Sequence, residues 1–344
     1  MRTIWWRDGV VVTIDQSKLP NRVIYLRLLS AMDVATAIKK MQVRGAPLIG
    51  VAAAYGLALT ARYSSAKTRR HLLDELTSAA DILKSTRPTA INLFWTTSQI
   101  MRVARQAKGT VSDVKRAVSV EAQRLADMDI MVNEAIGRNG ANLLVDGDVV
   151  LTHCNPGALG TVGYGTALGV VKAAFQTGKK IKVIVTETRP MLQGARLTTF
   201  ELARERIPVT LITDGMVGYV MEKRLVNKVL VGADRILKTG HVINKIGTLS
   251  IAITANYYRI PFYVAAPLST FDLETRLSNT TIEERSPLEV THFLGQRIAY
   301  RGVPALNPAF DITPPKLISL LITEKGLLRP NEIDEKVSKW LEKH

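Results

Sequence analysis

After residue 148 the chain repeats one unit: a short apolar run, a polar or glycine-rich loop, then a helical stretch. The runs are Val149 to Thr152, Val183 to Thr186, Val209 to Thr213, Val229 to Val231 and Phe262 to Ala265. Short runs rich in valine and isoleucine, spaced by helices, are best buried as a parallel sheet covered on both faces. The residues that follow them are Cys154, Glu187, Asp214, Asp234 and Pro267. Ligands of open α/β sheets bind outside the carboxyl ends of the strands. The pattern predicts a pocket holding one thiol and up to three carboxylates.

The first repeat, VVLTHCNPGALGTVGYGTALGVV at 149–171, contains the only cysteine among 344 residues. It reads as a strand, a glycine-rich loop and a helix from Gly165 to Gln176. A thiol at a strand end and close to a helix N-terminus is placed for a depressed pKa, because the free amides there favour negative charge. The plain alternative is an inert buried cysteine. Gly163-Tyr164-Gly165 with Gly169 imitates a dinucleotide fingerprint, but a true fingerprint begins directly after its strand. Here about ten residues intervene, and the glycines are assigned to shaping the loop around Cys154. Asp234, in VLVGADRI, follows its strand through Gly232-Ala233. Partial burial there would raise its pKa and suit it to donate a proton, the alternative being an ion pair with Arg235.

The first 140 residues have a different rhythm. Apolar and polar residues alternate around Asp8-Gly9 and again in NRVIYLRL, which predicts an antiparallel hairpin with a further strand. Helical periodicity then begins at Ala31, with Ser30 as N-cap, and covers 31–42, the LIGVAAAYGLALTAR stretch, and about 71–84, 90–106 and 111–139. A break at Asn139-Gly140 places the domain boundary near 140, giving a smaller N-terminal domain over 1–140 and a Rossmann-like domain over 141–344.

Three stretches combine a cation with a helix start, a pairing suited to phosphate. They are Arg44-Gly45-Ala46 before Pro47, Arg87 before Pro88, and Asn244-Lys245-Ile246-Gly247-Thr248, which opens a helix running to about Tyr258. A tight turn with a surface arginine is the simpler reading of the Arg44 stretch alone and a loop cation that of Arg87, yet the Arg44 and Lys245 sites, in different domains, point to a phosphorylated ligand held between them. Gln193, in ETRPMLQGARLT, can give and accept hydrogen bonds to a sugar hydroxyl.

Composition narrows the alternatives. The formal net charge of +16 raises nucleic acid as a partner. The Lys and Arg residues are scattered along helical stretches among few aromatics, which is the pattern of solvated basic faces, and nucleic acid is not expected. No apolar run reaches the roughly 18 residues that span a bilayer. A cytoplasmic protein with no membrane partner is expected, and one cysteine forbids an internal disulfide. The histidines (His71, His153, His241, His292, His344) lack paired ligand spacing, so no metal site is expected.

Long blocks then resemble a known family: RGAPLIGVAAAYG, STRPTAINLFW, THCNPGALGTVGYGTALGV, ETRPMLQGARLTTFEL, VGADRI, NKIGTLSIAI, PFYVAAPLSTFD, IEERSPLEVTH and NPAFDITPPKLISLLITEKG. Together, from Arg44 to Pro330, they are similar to the methylthioribose-1-phosphate isomerases of methionine salvage. Their wider family includes ribose-1,5-bisphosphate isomerases and the alpha, beta and delta subunits of the translation-initiation nucleotide-exchange factor. The GYGTALGV and IEERSP blocks look like the isomerase branch. The resemblance implies Cys154 and Asp234 as the catalytic pair, substrate contacts from Arg44, Gly45, Ala46, Arg87, Gln193, Asn244 and Lys245, and a homodimer. It also implies an aldose-ketose isomerisation of a phosphorylated sugar, which needs no metal or nicotinamide cofactor. Pro156 and Gly160 stand where the family pattern has alanines, and Gly215 where it has asparagine.

Overall fold

The computed structural model describes residues 1–88, 90–293 and 295–342. Thr89, inside the STRPTAINLFW block, and His344, among the histidines weighed as metal ligands, lie outside the described residues. Contacts divide the chain into two compact units: Met1–Glu134 with Gly157–Gly165, and Ala135–Pro156 with the chain from Thr166 onward. The sequence reading puts a single cut at 140. The contacts divide the chain within the helix Val111–Ala141 and group residues 157–165 with the first unit.

In the first unit, β1 (Ile4–Arg7), β2 (Val10–Ile14) and β3 (Tyr25–Leu28) form an antiparallel sheet in that order. Arg7 pairs with Val10, so Asp8-Gly9 is the two-residue connection that the alternation predicts. Helices α1 (Ala31–Lys39), α2 (Ala46–Tyr63), α3 (Arg69–Lys84), α4 (Ile91–Gln106) and α5 (Val111–Ala141) follow. Ser30 caps α1 in a full capping box with Asp33. Helix α2 is apolar all round and buried from Leu48 to Leu59, which makes it the central helix of this core. Its small residues are what let neighbours approach: a Cβ on Gly50 would lie 2.8 Å from Thr96 Oγ1. The 157–165 loop is tied to this unit by Thr3 N and Oγ1, which donate to Val162 O and Ala158 O at 2.7 Å each.

The second unit carries the strands predicted from the apolar runs: β4 (Val149–Thr152), β5 (Lys182–Thr186), β6 (Val209–Ile212), β7 (Lys228–Val231) and β10 (Phe262–Ala265). With β15 (Leu320–Thr323) and β16 (Gly326–Leu328) they form one sheet in the order β16-β15-β10-β7-β4-β5-β6. Every neighbouring pair is parallel except β15 with β16. The covering helices are α6 (Ala167–Gln176), α7 (Thr199–Arg204), α8 (Val217–Glu222) and α9 (Thr248–Tyr257). A smaller sheet, β11-β8-β9-β14, comprises β8 (Arg235–Leu237), β9 (Val242–Lys245), β11 (Phe271–Asp272) and β14 (Phe310–Thr313). The short elements α10 (Leu288–Thr291), β12 (His292–Phe293), β13 (Gln296–Arg297) and the final helix α11 (Ile333–Glu342) complete it.

Strand order is what positions the chemistry. The chain enters at β4, adds β5 and β6 on one side, then returns to place β7, β10 and β15 on the other. The reversal lies between β4 and β7, and such a switch point opens a crevice at the carboxyl edge of the sheet.

Candidate active site

Cys154 lies two residues beyond β4 and Asp234 three beyond β7, so the two residues flank the switch point on adjacent strands. Their loops pack closely: a Cβ on Gly232 would sit 3.0 Å from the Pro156 Cβ. Pro156 also accepts the amides of Thr166 and Leu168 at the start of α6, at 3.1 and 3.2 Å. This proline fixes the chain between the thiol and the helix.

Cys154 is partly buried and has φ of 60°, a left-handed conformation that costs a residue with a Cβ about 1–2 kcal/mol. Hydrogen bonds hold it there. Its amide donates to Thr188 Oγ1 at 2.9 Å, and its carbonyl accepts from Thr198 Oγ1 at 2.6 Å. Thr188, itself at φ 65°, is held by Asp214, whose carboxylate accepts the amides of Thr188 and Arg189 at 2.8 and 2.7 Å. Strained backbone clustered at one sheet edge, over-determined by hydrogen bonds, is a mark of functional loops.

The neighbouring His153 is buried. Its partners assign the neutral tautomer with the proton on Nε2: that N–H donates to Ile246 O at 2.8 Å, and Thr186 Oγ1 donates to Nδ1 at 2.6 Å. Burial, with the Lys245 charge acting the same way, holds its pKa below the ordinary value. The imidazole thereby ties the end of β4 to the turn that follows Lys245.

Gln193 is 4% exposed, and its Oε1 is buried without a hydrogen-bond partner. A buried unsatisfied amide oxygen at a sheet edge is a ready acceptor for a ligand hydroxyl. Asp234 is partly buried, and its amide donates to Ile243 O at 3.0 Å. The adjacent Arg235 forms an ion pair with Asp272 at 3.5 Å.

The stretch around Asn244 and Lys245 departs from the sequence reading. Instead of opening the helix it forms β9, and α9 begins at Thr248. The Gly247 and Leu249 amides expected to face a phosphate are taken by Asp311, which accepts them at 2.7 and 3.1 Å. Burial pushes the Asp311 pKa up to about 6, against the pull of those amides and of Lys245. Asp311 arrives on β14, opposite Asn244, from 67 residues further along the chain. The Lys245 ammonium donates to Ala309 O at 3.0 Å and lies 4.8 Å from the Phe310 ring centre, and Asn244 Nδ2 donates to Thr248 Oγ1 at 3.0 Å.

In the first unit, Arg44, Gly45 and Ala46 form the entry to α2, and Gly45 (φ 97°) is pressed against the 157–165 loop. A Cβ there would lie 2.5 Å from Gly160 Cα, so only glycine fits. Arg44 is 7% exposed and donates through Nε to Gln16 Oε1 at 2.9 Å. Arg87 lies in the turn between α3 and α4, and its Nη1 points at Met41 Sδ, 3.8 Å away and three residues before Arg44. Each unit thus gathers its own predicted residues: Arg44, Gly45, Ala46 and Arg87 in one, Cys154, Gln193, Asp234, Asn244 and Lys245 in the other. Sequence reasoning missed Gln16, His153, Thr188 and Asp311, all polar and all within or beside these clusters. Among the described residues no group of three or more His, Cys, Asp or Glu is arranged to hold a metal ion, and no helix is long and apolar enough to cross a membrane.

A sequence profile of the Initiation factor 2 subunit family matches residues 42–330, which is most of the chain and includes nearly all of these positions. The chain belongs to the Initiation factor 2 subunit family. Within it, the chain is 50% identical over 332 residues to the methylthioribose-1-phosphate isomerase of Chloroflexus aurantiacus, covering 96% of each protein. It is 51% identical over 330 residues to that of Geotalea daltonii, covering 95% of each. Among solved structures, the 5-methylthioribose 1-phosphate isomerase of Pyrococcus horikoshii OT3 is 41% identical, with a TM-score of 0.90 over 100% of this chain and 96% of that one. The A. fulgidus translation initiation factor eIF-2B subunit delta is 47% identical, with a TM-score of 0.88 over 98% and 99%. The Initiation factor 2 subunit family thus joins relatives named as enzymes and as translation factors on one fold.

Proposed function

We propose that this chain is an aldose-ketose isomerase that converts 5-methylthioribose 1-phosphate into 5-methylthioribulose 1-phosphate in methionine salvage, with Cys154 and Asp234 as the catalytic pair. One observation carries the assignment of roles: a thiol and a carboxylate delivered from adjacent parallel strands at the switch point, on loops that meet at Pro156 and Gly232. Two relatives that are 50% and 51% identical over nearly the whole chain and are named methylthioribose-1-phosphate isomerases support the substrate.

The anomeric oxygen of the substrate carries phosphate, so the ring cannot open to a free aldehyde. In this reading neutral Asp234 gives its proton to the ring oxygen as the bond from that oxygen to C1 breaks. The carboxylate so formed takes the proton of the C2 hydroxyl as the C2 carbonyl forms. The hydrogen on C2 moves to C1 by one of two routes. It passes directly as hydride while the Cys154 thiolate stabilises the electron-poor C1, or Cys154 removes it as a proton and an enol phosphate is reprotonated. Solvent deuterium appears at C1 of the product only on the second route. For substrate binding, Arg44 and Arg87 supply charge-assisted bonds to phosphate beside the Gly45-Ala46 helix entry. Lys245 and Asn244 supply a cation and an amide, and Gln193 Oε1 accepts a sugar hydroxyl.

Purified protein is to be assayed with methylthioribose 1-phosphate beside ribose 1,5-bisphosphate and 5-deoxyribose 1-phosphate. Turnover of the first is expected to exceed the others, and Cys154→Ser and Asp234→Asn are each expected to lose at least about 10² in kcat while remaining folded. Absence of turnover on all three overturns the reading. The name of the A. fulgidus relative favours a second one, a non-catalytic subunit of exchange-factor type, under which both variants are silent. The working form proposed is a cytoplasmic homodimer, in keeping with the exposed Leu211, Met216 and Tyr219 on and just after the edge strand β6. Light scattering that returns the monomer mass would contradict it.

A further inference from the structure

Gln16 follows β2 and has no place in the chemistry above, yet it is 1% exposed and connects two parts of the first unit. Its Oε1 accepts from Arg44 Nε at 2.9 Å, and its Nε2 donates to Leu159 O at 2.7 Å. These partners fix which way the amide faces. Reversed, it would set an N–H against the Arg44 N–H and an oxygen against a carbonyl oxygen. The backbone is pinned as well: Gln16 N donates to Gln42 O at 3.0 Å, and Gln42 Nε2 donates to Asp15 Oδ2 at 2.8 Å. The residue that grips the guanidinium is thus fastened both to the stretch leading into Arg44 and to the loop that packs on Gly45.

We propose that Gln16 is a positioning residue that sets the plane of the Arg44 guanidinium for the phosphate of the substrate. A neutral amide on Nε holds an arginine without cancelling its charge. A carboxylate at the same place would hold it equally well and neutralise it. An acceptor that must be neutral, buried and unable to rotate is what distinguishes positioning a phosphate-binding arginine from merely burying one. The inference rests on the reading of Arg44 as a substrate contact.

The test compares wild type with Gln16→Met, which keeps the shape without the hydrogen bonds, and Gln16→Glu, which keeps the acceptor and adds charge. For Gln16→Met, KM for methylthioribose 1-phosphate is expected to rise about tenfold with kcat changed less than about threefold, and inhibition by inorganic phosphate to weaken by a similar factor. Gln16→Glu is expected to be weaker still. Because Gln16→Glu also sets an oxygen against Leu159 O, urea midpoints are read for both variants: binding losses that follow the loss of stability rather than the added charge mark a merely structural role and overturn the proposal. So do KM and phosphate affinity within twofold of wild type in both variants. If wild type turns nothing over, the isomerase reading fails alone, and direct phosphate binding across the three proteins then decides the role of Gln16 by the same comparison. Should neither variant fold, the wild-type Arg44 Nε–Hε NMR resonance decides. Slow exchange with a shift on adding phosphate is expected, and a resonance that saturating phosphate leaves unmoved overturns the proposal.

Discussion

Cys154 adopts φ of 60° because Thr188 and Thr198 hold its amide and carbonyl, and the cost of that conformation falls on its Cβ. Glycine would adopt the same backbone without penalty. Cys154→Gly is expected to be about 1 kcal/mol more stable than Cys154→Ala by urea denaturation, and both are expected to be inactive. Equal stability of the two would mean that the loop relaxes out of the left-handed region once the sulfur is gone. His153 is a contrasting case: a histidine beside the proposed catalytic thiol whose two nitrogens are both spent on Thr186 and Ile246. Its position invites a role as general base, but its partners make it a strut.

At the level of elements, the entry to α2 and the 157–165 loop behave as one piece. Gly45 lies against Gly160, Gln16 bridges Arg44 to Leu159, and Asp129 on α5 accepts the Val162 amide at 2.7 Å. Gly45→Ala adds a Cβ with no space at a positive φ. It is expected to cost about 2 kcal/mol or more and to lower kcat/KM with it, as measured by urea denaturation and steady-state kinetics. A neutral outcome would show that the loop can withdraw from α2 without harm. The start of α9 teaches the converse. A cation followed by glycine and a helix has the signature of an anion site, but the fold filled it with its own carboxylate, Asp311.

Across the whole molecule, one buried carboxylate in each unit titrates far from its ordinary range. Burial raises Asp129 and Asp311 to about 6 each, above the roughly 3.9 of an unfolded aspartate. Between these values the folded state holds more protons than the unfolded one. The burial cost of each group is complete above about pH 6 and is relieved as the pH falls toward about 4. Relative to Asp129→Asn, wild type is expected to gain on the order of 2 kcal/mol between pH 7 and 4, read from urea midpoints at each pH. Parallel pH profiles for the two proteins would show that Asp129 titrates normally. His153 opposes this trend, since a buried neutral imidazole loses stability as the pH falls below its ordinary value of about 6.5.

The sequence alone determined what depends on neighbours a few residues away. The Asp8-Gly9 turn, the Ser30 cap, the small-residue α2 and the strand-loop-helix repeat after residue 148 are local patterns, and local sterics and burial suffice to express them. The same patterns put a thiol and carboxylates at strand ends. Strand order was not legible, because a parallel sheet of short apolar runs has many permutations of similar burial, and the return of β7 to the side of β4 is what makes neighbours of residues 154 and 234. The left-handed turn at Cys154, the capture of Gly247 and Leu249 by Asp311, and the grip of Gln16 on Arg44 were decided only by the tertiary structure. Each joins residues tens of positions apart, and a hydrogen-bond partner at that distance exists only once the fold has brought it there.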